Sequence, residues 1–170
     1  MIAHITQVQR AAEALRHAKH VVALTGAGVS KESGVPTFRD AVDGLWARFD
    51  PMQLATRDAF QADPKLVWDW YNYRRDMMRG AKPNAGHHAL TQLQKRFESL
   101  TIITQNIDDL HEQAGSTDIV RLHGSIAQNK CFNDCQGKPT LIDINGLNGT
   151  PPACPHCGAY VRPDVVWFGE

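Results

Sequence analysis

"VVALTGAGVSKESG", residues 21 to 34, is a short apolar run that gives way to a glycine turn and a helix start. Strand, glycine-rich turn and helix in that order open a dinucleotide-binding α/β unit, in which backbone N–H groups and a helix N-terminus face a pyrophosphate. Taken alone, Gly26-Ala27-Gly28 is a weak signal. The third glycine of the simple fingerprint is displaced, the next being Gly34, and short glycine loops often only turn a chain. Its place after a buried strand favours phosphate binding. Phe38 and Arg39 follow soon after, an aromatic lid and a cation.

Upstream, Thr6 and Gln9 form a capping-box pattern, with Val8, Ala11, Ala12 and Leu15 at helical spacing, which predicts a first helix from Thr6 to Lys19. Downstream, the segment from Asp40 to Gly80 is aromatic-rich and reads as an insertion with its own helices. Asp63 and Pro64 are the N-cap and first turn of one of them, and Gly80 is its stop. "PNAGHHALTQLQKRF" is again an amphipathic helix, followed by the strand-like "LTIITQN" and a shorter "DIVRLHG". From Ser125 to Ala159 the chain is loop-like and carries all the cysteines, before a last apolar strand, "DVVWF".

The 170 residues suffice for one sizeable core, or one domain with a small insert. Eighteen basic and eighteen acidic side chains cancel, which argues against gripping nucleic acid or an anionic membrane surface, zinc-ribbon nucleic-acid binders included. The sequence shows neither a signal-peptide core nor a run of apolar residues long enough to span a bilayer, so the expectation is a soluble, cytoplasmic protein.

"TQNID", residues 104 to 108, falls where a parallel strand ends and ligand-facing residues gather. Gln105, Asn106 and Asp108 suit a ribose or an amide, while Asn106 or Asp108 equally suits capping the next helix. His123 ends the following strand in the same manner. It is eligible as a base, although a lone histidine is more often structural. Cys131-x3-Cys135 and Cys154-x2-Cys157, separated by 18 residues, have the spacing of a closed four-thiolate zinc site. Two disulfides are the competing reading. In "WDWYNYRRDMM", Arg74 falls within the stripe Val67, Trp70, Tyr71, Met77 and Met78, where a buried guanidinium needs an anion. An internal acid, or a snorkelling stem with a solvated head, would satisfy it as well.

Set in order, "GAGVSKESGVPTFRD", "PNAGHHAL", "TQNIDDLHEQAG", "RLHGS", the cysteine pairs and "VVWFGE" resemble the sirtuins, NAD-dependent protein lysine deacylases. The resemblance implies an α/β fold: a Rossmann-like parallel-sheet domain of residues 1–40, 81–125 and 158–170. A smaller domain joins a helical module, 41–80, to a zinc module, 126–157. Gly26, Ala27, Gly28, Ser30, Gly34, Phe38 and Arg39 would line NAD, with Gln105, Asn106 and Asp108 on the ribose and nicotinamide amide and Trp46 closing a loop. His123 would act as general base on the ribose hydroxyls, the acyl group of a protein's lysine ending on ADP-ribose as nicotinamide leaves. Val166, Phe168, Gly169 and Glu170 would offer a strand edge to the peptide. Zinc on Cys131, Cys135, Cys154 and Cys157 would be structural.

"YNYR" matches the Tyr-x-x-Arg pair of the sirtuin class that prefers malonyl, succinyl and glutaryl lysine, placing Tyr71 and Arg74 in the acyl pocket. Positions i and i+3 share a helix face, and an arginine fork beside a phenol suits a carboxylate. Sirtuins continue past the motif that ends at Glu170. The expectation is therefore a Rossmann domain lacking its C-terminal part, with an apolar sheet edge and part of its helical cover missing. A non-catalytic module that binds NAD or ADP-ribose is the alternative function.

Overall fold

A computed structural model describes residues 2–35 and 50–170. Phe38, Arg39 and Trp46 lie outside them. The elements run α1 (Ile2–His17), β1 (His20–Thr25), α2 (Ala27–Ser30), a 3-10 turn (Lys31–Ser33), α3 (Pro51–Leu54), α4 (Arg57–Ala62), α5 (Pro64–Met78) and α6 (Ala85–Gln94). They continue with β2 (Ser99–Thr104), α7 (Leu110–Gln113), β3 (Ile119–Arg121), β4 (Gly124–Cys131) and β5 (Val161–Val165). Helix α1 starts four residues before the expected Thr6. Thr6 therefore lies in the helix interior rather than at a cap. Among the described residues no helix is long and apolar enough to cross a membrane.

Strands β1, β2 and β3 form a parallel sheet in that order, with Thr25 beside Thr104 and Thr104 beside Arg121. One face is covered through Leu100, Ile102 and Thr104. The other carries Val22 and Leu24, 63% and 67% exposed, so β1 is not the fully buried strand its composition suggests.

Strand β5 belongs to a separate two-stranded sheet. Its hydrogen bonds go antiparallel to β4, pairing Val161 with Cys131 and Val165 with Gly124. It also ends at Val165, before most of the predicted "DVVWF". Gly124 makes the close pairing possible: at φ +73° it accepts a left-handed backbone, and a Cβ there would sit 2.1 Å from the Asp164 carbonyl oxygen.

Helix α5 locks onto this two-stranded sheet. Asp63 accepts from the Leu66 N–H at its start and Pro64 presets its first turn. Val67, Trp70 and Tyr71 join Leu54, Phe60, Ile126, Val165 and Trp167 in one core, while Trp68 packs with Cys131, Ile142, Cys154 and Val161 in another. The buried face is thus wider than the predicted stripe, and Met77 and Met78 are only half-buried. Arg75 clamps the contact, its guanidinium donating to the Ile126 carbonyl at 2.7 Å and to Asn129 Oδ1 at 2.7 Å.

Candidate active site

Gly26 is the N-cap of α2, and its carbonyl accepts the Val29 N–H. Neither Gly26 nor Gly28 adopts the left-handed backbone, and among the described residues a Cβ on either would meet nothing within 4 Å. The packing of the described residues therefore does not require glycine at either position. What glycine provides is close approach of another molecule to the backbone, the property a pyrophosphate cradle needs. Gly34 differs, with φ +81° closing the 3-10 turn.

Behind this turn lies a buried polar cluster. Ser30 Oγ donates to Asp108 Oδ2 at 2.9 Å and accepts from Asn106 Nδ2 at 3.0 Å, while Asp108 Oδ1 accepts the Leu110 N–H at 3.1 Å. Asp108 thus supports the first turn of α7 and anchors the glycine loop with the same carboxylate. Asn106 and Asp108 are both nearly covered, so they brace the loop as well as flanking the place expected for the ribose. Asn84 at the start of α6 adds a second brace, donating to the Val29 carbonyl at 2.7 Å and to Ser33 Oγ at 2.9 Å.

Gln105, just after β2, and His123, just after β3, meet beyond the ends of these neighbouring parallel strands. Gln105 is exposed, and its carbonyl oxygen lies 2.9 Å from His123 Nδ1. A carbonyl only accepts, so Nδ1 carries the hydrogen and the neutral ring keeps its lone pair on Nε2. That fixes which nitrogen can take a proton. The His123 carbonyl in turn accepts the Val166 N–H at 3.1 Å, tying the histidine to the segment after β5.

Two buried histidines escaped the sequence reading. His87 and His111 meet edge to face, ring centroids 4.9 Å apart. His87 Nδ1 accepts from the Asn84 N–H, and His111 Nε2 reaches Thr25 Oγ1 at 3.0 Å. Burial lowers the pKa of both, and His111 is lowered further by His87, while Asp108 opposes the shift in each. A base whose folded pKa is depressed leaves the unfolded chain binding more protons, so its stability contribution is full above about pH 6.5 and falls as pH drops below that. Urea midpoints should decline on acidification from about pH 8 to about pH 5.5, less steeply in a His111→Gln variant. A flat profile would contradict the neutral, buried pair.

Tyr71 and Arg74 lie on one face of α5, both buried. Burial draws the guanidinium pKa down, opposed by Tyr71, and Arg74 Cζ stands 5.2 Å from the Trp70 ring centroid. The Tyr71 oxygen accepts from Trp167 Nε1 at 2.9 Å. Neither Tyr71 nor Arg74 lines either of the two described cavities.

Residues 166–170 are tied to the rest of the chain, with Phe168 in a parallel bridge to Thr56. The N–H groups of Val166, Trp167, Phe168 and Glu170 go to the His123 carbonyl, Glu170 Oε2, the Ala55 carbonyl and the Trp167 carbonyl. Gly169, at φ +87°, supplies the positive φ in the turn from Trp167 to Glu170. Glu170 bonds Arg162 at 2.7 Å and Arg57 at 3.1 Å. Burial alone would raise its pKa, but the Arg162, Trp167 and Arg57 hydrogen bonds prevail and hold it below the usual carboxylate range. Its role within the chain is to clasp the turn, while Val166 and Phe168 remain exposed at 42% and 48%.

The four cysteine sulfurs lie within 4.8 Å of one another, with Cys131 to Cys157 at 3.5 Å and Cys135 to Cys154 at 3.9 Å. These separations rule out bonded sulfur pairs in this state, since an S–S bond is about 2.05 Å. They match a tetrahedron of thiolates about 2.3 Å from a zinc ion, whose edges are about 3.8 Å. The donor set fits zinc with no position left open. His156 is exposed outside the cluster.

The Sir2 family model matches residues 26–170. The NAD-dependent protein deacylase of Pseudomonas putida is 48% identical over 172 residues, covering 98% of this chain and 65% of that protein. A solved Sir2 homologue in complex with NAD aligns with a TM-score of 0.80 at 44% identity, over 95% of this chain and 62% of the other. A Sir2 mutant solved with a p53 peptide and NAD aligns at 0.75 and 29% identity, over 95% and 64%. The chain therefore spans just under two thirds of the length of these relatives. With a family model matched over most of its length and a deacylase relative 48% identical across nearly all of it, the chain belongs to the Sir2 family.

Proposed function

We propose that this protein removes acyl groups from protein lysines in an NAD-dependent reaction, acting in the cytoplasm and preferring succinyl, malonyl or glutaryl groups over acetyl. Sir2 membership, relatives named as NAD-dependent protein deacylases and solved relatives holding NAD or a peptide support the activity. The observation that carries the acyl preference is a phenol and a guanidinium, Tyr71 and Arg74, buried one turn apart on α5.

NAD, when bound, supplies an electrophilic ribose carbon and the hydroxyl that receives the acyl group. The open backbone at Gly26 and Gly28 would admit its phosphates, with Ser30, Asn106 and Asp108 holding the loop's shape. Gln105 fixes the His123 ring through Nδ1, so Nε2 is the atom that would take a proton from a ribose hydroxyl of bound NAD. Arg74 and Tyr71 would hold the distal carboxylate of the acyl chain, a contact no acetyl group can make. Zinc on the four cysteines would hold β4, β5 and their loops together and take no part in bond breaking.

The test is a mass-spectrometric assay of the full chain with NAD on succinyl, malonyl, glutaryl and acetyl versions of one peptide. Faster turnover of the acidic groups is expected. Equal or preferential use of the acetyl peptide rejects the acyl preference, and tight NAD binding without nicotinamide release favours a binding module instead.

A further inference from the structure

The Tyr71 hydroxyl is a donor whose direction is set by a neighbour. An indole N–H can only donate, so the 2.9 Å contact with Trp167 Nε1 occupies a lone pair of the Tyr71 oxygen and leaves the phenolic proton to another partner. Among the described residues no group accepts that proton. Burial pushes the phenol pKa up to about 12, against the opposing effects of the Trp167 hydrogen bond and the Arg74 charge, so the proton stays on the oxygen at neutral pH.

Trp167 is itself held from several sides. Arg162 Cζ lies 3.7 Å from its ring centroid, Phe60 packs at 5.3 Å, and its backbone N–H donates to Glu170 Oε2 at 2.9 Å. The same segment is bonded to the His123 carbonyl through Val166. A rigid indole therefore joins the acyl-binding helix to the strand-end histidine.

We infer that Trp167 is a specificity-positioning residue: by donating to the Tyr71 oxygen, it turns the phenolic proton, together with the Arg74 guanidinium, toward the carboxylate of an acidic acyl-lysine. This rests on the acyl preference proposed above. Trp167 need not touch the substrate. Its contribution is orientation, because without the indole N–H the hydroxyl can rotate and spend its proton elsewhere.

The experiment measures binding of fluorescent succinyl-lysine and acetyl-lysine peptides to the full chain by anisotropy, alongside KM and kcat for the same peptides. Trp167→Phe keeps an aromatic ring and removes the donor. It should cut the succinyl-over-acetyl affinity ratio about tenfold, as loss of one hydrogen bond to a charged group would, raising KM for succinyl peptide while kcat on acetyl peptide stays within twofold. Tyr71→Phe should lower the ratio similarly, and the double variant should fall no further than either single one.

An unchanged ratio in a folded Trp167→Phe protein, while Arg74→Met abolishes the preference, overturns the inference and leaves the acyl reading standing. A wild-type chain that does not discriminate overturns the acyl reading and the inference with it. Should Trp167→Phe fail to fold, Tyr71→Phe decides: an intact preference there overturns the inference, and a reduced one supports it.

Discussion

Replacing His123 by alanine is expected to slow NAD-dependent lysine release about thousandfold, equally for succinyl, malonyl and acetyl peptides, in line with the usual worth of a positioned general base. The reason lies in the ring's geometry. Nδ1 is committed to the Gln105 carbonyl, so the remaining nitrogen is a single basic site held in place, and alanine removes it without disturbing a buried contact. The glycine turn and the Ser30, Asn106 and Asp108 cluster do not involve the imidazole, so NAD affinity should change by less than about threefold. Steady-state kinetics for rate and calorimetry for binding separate the two effects. A His123→Ala protein that retains a tenth of the wild-type rate would mean that the proton leaves by another route.

Arg74→Met should act on one substrate class alone. Methionine keeps much of the stem's volume and deletes the charge, so the core around Trp70 stays filled while the carboxylate loses its charged partner. A charge-assisted hydrogen bond lost inside a covered site costs about 2 to 3 kcal/mol, so kcat/KM for succinyl peptide should fall roughly a hundredfold. Acetyl peptide should be unaffected or slightly improved, because burying the guanidinium carries a desolvation cost that methionine avoids. A parallel loss on both peptides would instead assign Arg74 a structural role in α5.

The parts of this site that were legible in the sequence are those in which spacing alone dictates geometry. Four cysteines in two short knuckles converge because each knuckle brings two sulfurs to one point, and Tyr71 with Arg74 share a face because a helix repeats every 3.6 residues. The glycine turn was legible as punctuation after an apolar strand, whereas the open space above Gly26 and Gly28 among the described residues depends on the folded chain.

Other features depend on partners distant in sequence. Strand β5 reads VRPDV, with an arginine, a proline and an aspartate among its five residues, and its antiparallel partner β4 lies 30 residues or more upstream in register. Trp68 falls off the expected stripe because a second core lies beside it. His87 and His111 looked like polar residues of two helices, since no local pattern announces that α6 and α7 bring their rings together. The tied turn at 166–170 was hidden likewise, because Arg57, Arg162 and the Ala55 carbonyl that consume its donors and acceptor lie elsewhere in the chain.

The most direct test of the central claim, that this chain's glycine turn and strand-end histidine serve an NAD-consuming deacylation, is a stoichiometry. Succinyl-lysine peptide and NAD are incubated with the full chain, and nicotinamide, free-lysine peptide and succinylated ADP-ribose are quantified together by mass spectrometry. Equal amounts of all three are expected, and none of them when either substrate is omitted. Free lysine appearing without NAD, or nicotinamide released without any deacylated peptide, would contradict it.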